Sequence, residues 1–346
     1  MFKPTSQHSF YVRALYKRIL SEAGYFFDDR SRAYVVNRAR KFFKEYKSCQ
    51  DESRIKSKLT EAKKRLHRLE SANKGNQKSA LKVLEAAYGR TGKVKHKLMH
   101  SYLYEHFPAD FKKPAPLIPH IPHTAPPPPL CYPLQAIVTQ HLKKQLEPQL
   151  PVPPFKPLHR GRQANLLWKW RSMLIQQMEI PLPFEIICEL ELKAGASMTH
   201  PCYSGMLNMG GPRWIDMYAG HENDPDLAHL CPIQQQTPLK KLETNRCIPL
   251  PPSPYTKSPS IYATSTLIAM SPLSTISRYQ YAPREMRRLY RRLLNKIPLI
   301  SPLPDAMSLY DANIKYQVSQ SQWATNTITH ILDLKHLPPN LQKDEC

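Results

Sequence analysis

Between Pro4 and Pro108 the chain contains no proline. A proline inside a helix removes a backbone donor and clashes with the preceding turn, at a cost of about 3 kcal/mol. The proline-free stretch is therefore open to long, uninterrupted helices. From Pro108 to Pro157 the pattern reverses and prolines crowd the chain, including the run Pro126 to Pro129. This shift predicts a helical domain over 1–107, a proline-rich linker with polyproline II stretches over 108–160, and a C-terminal region over 161–346.

Apolar spacing predicts where the helices lie. Over 7–23, Phe10, Ala14, Leu15 and Ile19 share one side, and Gly24 stops the run. Over 30–47, Val35, Ala39, Phe42, Phe43 and Tyr46 make a buried stripe, with Asp28 or Asp29 as its cap. Ile55, Leu59, Ala62, Leu66 and Leu69 alternate steps of four and three, a heptad seam with Asp51 and Glu52 at its acid-favouring start. A shorter helix carries Leu81, Leu84 and Tyr88, "YGRTGK" breaks it, and 96–107 forms another. Beyond the linker, helices are expected near 164–178, 284–297 and 305–334. The long stretch before 284 shows no clear period, so the C-terminal region reads as helical but partly irregular. The fold class is mostly α.

The chain carries 50 Lys and Arg against 27 Asp and Glu, a formal charge of +23. Nucleic acid, an anionic membrane or an acidic protein would suit that balance, as would residence in a compartment of basic proteins. No apolar run reaches the length of a membrane span. Lys3, Arg13, Lys17 and Arg18 precede the first acidic residue, Glu22, as in a matrix-targeting segment. The same residues build the first helix, so import without cleavage is expected. The seven cysteines form no C-x-x-C pair, and His120-x-x-His123 lies among prolines, so no metal site is expected. Phosphate-binding glycine loops and the G-x-S-x-G elbow are missing, and "GRTGK" has the wrong spacing for a P-loop. The expected protein is not an enzyme and binds no cofactor directly.

Basic side chains flank the predicted apolar stripes. Lys17 and Arg18 border the first helix, and Arg38, Arg40, Lys41 and Lys44 lie outside the stripe of the second. Paired antiparallel, the two helices would frame a groove for an acidic helix or a phosphate. A solvated face that keeps the domain soluble is the other reading.

Leu15-Tyr16-Lys17-Arg18-Ile19-Leu20, the basic second helix, Phe42-Phe43 and "KVLEAAYGRTGKVKHKLM" at 82–99 together resemble the LYR-motif (Complex I LYR-like) family, in particular a fungal mitochondrial subgroup with a long C-terminal extension. The resemblance covers roughly 8–107. It departs at Lys17, where the family usually has arginine, and lysine lacks the bidentate fork. The resemblance implies an N-terminal three-helix bundle that binds the mitochondrial acyl carrier protein, whose acyl-phosphopantetheine enters the bundle as a ligand. It implies partner contacts at Leu15, Tyr16, Lys17, Arg18, Arg38, Arg40, Lys41, Phe42, Phe43 and Lys44. It further implies a matrix adaptor or assembly factor for a respiratory, iron–sulfur or mitoribosomal client complex. The alternative is an RNA-binding mitoribosomal or ribosome-assembly protein, which the charge favours although no RNP or KH signature is present. "LYRRLL" at 289–294 echoes the first motif, but Pro298, Pro302 and Pro304 follow it closely, so the first element is expected to hold the carrier.

Overall fold

The computed structural model describes residues 5–105, 111–152, 154, 156–199, 203, 205, 211–222, 224–232, 250–251, 254–255, 279–302 and 316–324. These residues are mostly helical. The chain divides into two compact units, Met1–Val94 with Gly220–Leu289, and Lys95–Ala219 with Tyr290–Cys346. This differs from the division at 107 and 160 expected from proline content. The difference arises because residues after Gly220 carry buried side chains, Asp226, Leu227 and Leu230 among them, back to the N-terminal helices.

In the first unit each of the first four helices begins at a side-chain cap. Helix α1 (Ser6–Tyr25) starts at Thr5, whose side-chain oxygen accepts from the His8 backbone N–H at 3.2 Å. Helix α2 (Asp29–Glu45) starts at Asp28, which accepts from the Ser31 N–H at 2.9 Å and the Ser31 hydroxyl at 2.7 Å. The buried Tyr88 hydroxyl donates to the other Asp28 oxygen at 3.2 Å, so one carboxylate fixes the start of α2 and the chain just after α4. Helix α3 (Glu52–Asn73) is capped by Asp51 and α4 (Gln77–Ala87) by Asn76. Hydrogen bonds from the Ser53 hydroxyl and then the Arg54 N–H hold the Asp51 carboxyl below its ordinary value. Between α3 and α4 the chain turns at Gly75 with φ of +94°, and a side chain there would meet the Tyr279 ring at 2.8 Å.

Helix α1 packs on α2 and α3, while α4 packs on α3 and α2. Tyr11, Leu15, Ile19, Phe42, Leu59 and Leu66 belong to the shared core. The Asn73 side-chain amide donates to both the Glu22 carbonyl at 2.9 Å and its carboxylate at 2.8 Å, tying the ends of α1 and α3. Residues 224–231 form a strap across α2. There Asp226, 5 % exposed, accepts from Lys41 at 2.5 Å and pairs with Arg38 at 3.5 Å. Arg30 donates to the His229 carbonyl at 3.0 Å, and the His229 ring lies 5.1 Å from that of Tyr34, tilted against it.

In the second unit, two sequence expectations need correction. The stretch 108–160 is not simply an extended linker. It contains helix α6 (Tyr132–Ala136) and a π-helical turn, Ile137–His141, and buries Leu134, Ile137 and Val138. Pro133 sits in the first turn of α6, where its missing N–H costs no hydrogen bond. The helix expected over 305–334 is replaced over Tyr316–Gln320 by strand β2, paired antiparallel with β1 (Pro298–Pro302). The apolar Leu299 and Ile300 give β2 a buried neighbour, and that pairing overrides its weak helical pattern. The remainder of 305–334, apart from 321–324, lies outside the described residues. Gln140 braces the pair: its amide donates to the Tyr316 carbonyl at 2.9 Å and accepts from the Val318 N–H at 2.8 Å.

The expected helix near 164–178 is α7 (Arg160–Gln177), and the one near 284–297 runs Pro283–Leu294. Helix α5 covers Gly92–His100 and passes into a π-helical turn, Ser101–Glu105, where one helix over 96–107 was expected. Helix α8 (Phe184–Lys193) lies in the stretch without apparent period. Its Glu191 is fully buried and accepts from Ser321 at 2.6 Å and the Gly205 N–H at 2.7 Å. Burial nonetheless raises its carboxyl above the ordinary value. Among the described residues no helix is long and apolar enough to cross a membrane.

Candidate functional site

Where α1 to α4 meet, the core is incompletely filled. A cavity of about 110 Å³ remains, with apolar walls that include Ile19, Val35, Ala39, Phe42, Ala62 and Leu69. Around it stand Arg38, Arg65, Arg68 and Lys82 with Tyr34. Arg38 is engaged by Asp226, and Arg65 by Glu61 at 2.5 Å. Arg68 and Lys82 are exposed and make no ion pair among the described residues. Burial, with repulsion from Arg38 and Arg68, pulls Arg65 below the ordinary guanidinium value, though an arginine remains charged at neutral pH. An apolar pocket inside a positive rim suits an anion carrying an apolar tail.

A second cavity, about 690 Å³, opens between the start of α1, the end of α2 and the start of α3. Val12, Tyr16, Phe43, Tyr46 and Ile55 line it, with Lys47 and Lys58 nearby. The Tyr16 and Phe43 rings lie 5.1 Å apart, as do those of Phe42 and Tyr46. Phe42 lines both cavities.

The structure sorts the ten residues named from sequence into different places. Leu15 is wholly buried in the core. Tyr16, Phe42 and Phe43 line the larger cavity, and Arg38 and Phe42 the smaller. Arg18 is paired with Glu70 at 2.5 Å, joining α1 to α3. Lys41 is held by Asp226. Lys17, Arg40 and Lys44 are exposed and line neither cavity. Sequence reasoning missed Tyr34, Arg65, Arg68 and Lys82. Arg65 and Arg68 sit beside the seam residues Leu66 and Leu69, three apart on α3. Basic residues flanking that seam were the available signal, but only the packing of α4 brings Lys82 to them.

The second L-Y-R element is engaged differently. Leu289 and Tyr290 are buried, and Arg291 donates to the Ala194 carbonyl at 3.3 Å and lies over Trp323. Among the described residues no three His, Cys, Asp or Glu side chains converge as a metal site. Burial pushes the Cys131 thiol up to about 12, so it is not a thiolate at neutral pH.

Residues 15–99 match the model of the LYR motif-containing protein 2-like family. The match runs from Leu15 of the motif to Met99 of α5 and takes in all the residues lining the smaller cavity. No curated protein and no solved structure matches the chain.

Proposed function

We propose that this chain, whose residues 15–99 form an LYR-type domain, is a non-enzymatic adaptor of the mitochondrial matrix that binds acylated acyl carrier protein. LYR-motif proteins are generally mitochondrial adaptors without catalysis of their own. The observation that carries the reading is the apolar cavity where α1 to α4 meet, with its rim of Arg38, Arg65, Arg68 and Lys82. The rim offers guanidinium donors for a phosphopantetheine phosphate and the acidic face of a carrier. The cavity offers apolar walls for an acyl chain. Exposed ion pairs contribute about 0.2 to 1 kcal/mol each. Burial of eight methylenes contributes about 6 kcal/mol before entropy losses. The rim would steer and select, and the chain would set the lifetime. The C-terminal segments would dock the client complex.

The structure dictates which substitutions test this cleanly. Reversing Arg18 would break its pair with Glu70 as well as any partner contact. Arg68→Glu with Lys82→Glu removes two exposed rim charges that hold no ion pair among the described residues. Carrier co-purifying with the double variant should fall at least roughly tenfold, with helicity by circular dichroism unchanged. Undiminished carrier on a folded double variant would sink this assignment of the site.

A second reading, RNA binding, is favoured by one observation. On the helix Pro283–Leu294, Arg284, Arg287 and Arg288 are all exposed. Such a patch would contact phosphates without reading bases. Replacing the three by alanine should make binding to single-stranded RNA less salt-dependent, the log–log slope falling by about 2. An unchanged slope would remove this patch from consideration.

A further inference from the structure

The strap across α2 belongs to an acidic stretch of a basic chain. Residues 220–239 contain Glu222, Asp224 and Asp226 and no Lys or Arg, against a formal charge of +23 for the whole sequence. The match to the family model, residues 15–99, takes in α2 and not the strap. The strap is therefore an addition to the LYR-type domain, and its charge is opposite to that of the helix it crosses.

The strap is anchored without help from its carboxylates. Leu227 and Leu230 are buried, Arg30 donates to the His229 carbonyl at 3.0 Å, and the His229 ring bonds to the Ala87 carbonyl at 2.7 Å. These contacts set Asp226 beside Arg38 and Lys41, which lie three apart and so on one side of α2. Burying a carboxylate costs solvation that its ion pairs do little more than repay, so Asp226 adds little to the hold of the strap. Its effect on α2 is larger. One negative charge is shared between Lys41 at 2.5 Å and Arg38 at 3.5 Å, and Arg38 belongs to the rim of the smaller cavity. A tethered group meets its target at an effective concentration of about millimolar or above, so an incoming carboxylate competes with one already in place.

We propose that the strap is an autoinhibitory element: Asp226 takes on α2 the position of a carboxylate of the acidic partner, and the resting chain withholds Lys41 and part of the charge of Arg38 from it. The inference rests on the carrier-binding reading above and adds to it a restraint on that site, supplied by chain outside the LYR-type domain.

Full-length protein would be titrated with acyl carrier protein loaded with octanoyl phosphopantetheine, and association rates and dissociation constants measured. Asp226→Asn keeps the shape of the side chain and removes its charge, and Lys41, about one-third exposed, reaches water once released. Two exposed ion pairs together are worth roughly two- to thirtyfold in affinity. The variant should bind the carrier at least roughly threefold more tightly, mostly through faster association. Lys41→Ala should cost the Asp226→Asn chain at least roughly twofold more affinity than it costs the native chain, because only there does the partner reach the lysine. Asp226→Ser repeats the test with a smaller side chain should the amide disturb the strap, and circular dichroism reports whether each variant folds. No gain in a folded variant, or equal costs of Lys41→Ala in the two backgrounds, would overturn the autoinhibitory strap and leave the adaptor reading standing. A carrier that binds neither the native chain nor the released variants would overturn both.

Discussion

Leu15→Ala should lower the stability of the first unit by about 3 to 4 kcal/mol, the range expected when a fully buried leucine is truncated and its neighbours cannot close the gap. Leu15 has no exposed surface and sits in the core with Tyr11, Ile19, Phe42, Leu59 and Leu66, contributed by three helices. The neighbouring motif positions should respond on quite different scales. Arg18→Ala leaves Glu70 without its interhelical partner, a pair about one-fifth exposed on each side, and should cost about 1 to 2 kcal/mol. Lys17→Ala, on an exposed side chain, should stay within about 0.5 kcal/mol. Urea midpoints of the three variants would measure the ordering. A Leu15→Ala loss no larger than that of Lys17→Ala would show that the core does not pack as described.

That ordering also explains what the sequence could reveal. Read as a motif, Leu15-Tyr16-Lys17-Arg18 looks like one recognition element. In the fold it divides into a core residue, a cavity wall, a solvent-facing lysine and a structural ion pair. Periodicity makes α1 to α4 legible because each buries one stripe, and the caps at Asp28 and Asp51 are local. Periodicity is blind to partners distant in sequence. It showed Arg38 and Lys41 as open charge, whereas Asp226, on the strap, pairs with both. It missed β1 and β2 because a two-stranded pair gains its stability from the partner strand and from Gln140, not from its own pattern. The rim of the smaller cavity was only partly legible for the same reason. Arg38 was visible from its own helix, but Arg65, Arg68 and Lys82 become a site only once α3 and α4 are packed.

Acidification should weaken the first unit through the strap, with His229 as the responsible group. Its ring is enclosed, its Nε2–H donates to the Ala87 carbonyl at 2.7 Å, and Nδ1 has no hydrogen-bond partner among the described residues. Burial is the main cause that drives its pKa down to about 4, and the Arg30 guanidinium adds to it, while the Ala87 carbonyl opposes. Unfolded, the imidazole titrates at about 6.5. Between pH 6.5 and 4 the unfolded chain therefore binds a proton that the folded chain refuses. Stability contributed by the neutral ring is complete above pH 6.5, falls as pH drops, and is fully lost below about pH 4. A proton on Nδ1 would have no acceptor and would face Arg30, which already binds the His229 carbonyl. Two to three kcal/mol, roughly, should be lost between pH 7 and 4.5. Asp226, three residues away, holds Arg38 and Lys41, so loosening the strap would also free both cations on α2. His229→Gln keeps a donor for the Ala87 carbonyl and removes the titration. Urea unfolding of the native chain and of this variant at the two pH values separates the causes. The variant should lose much less stability on acidification than the native chain. Equal losses would assign the acid sensitivity to carboxylates elsewhere and leave His229 a bystander.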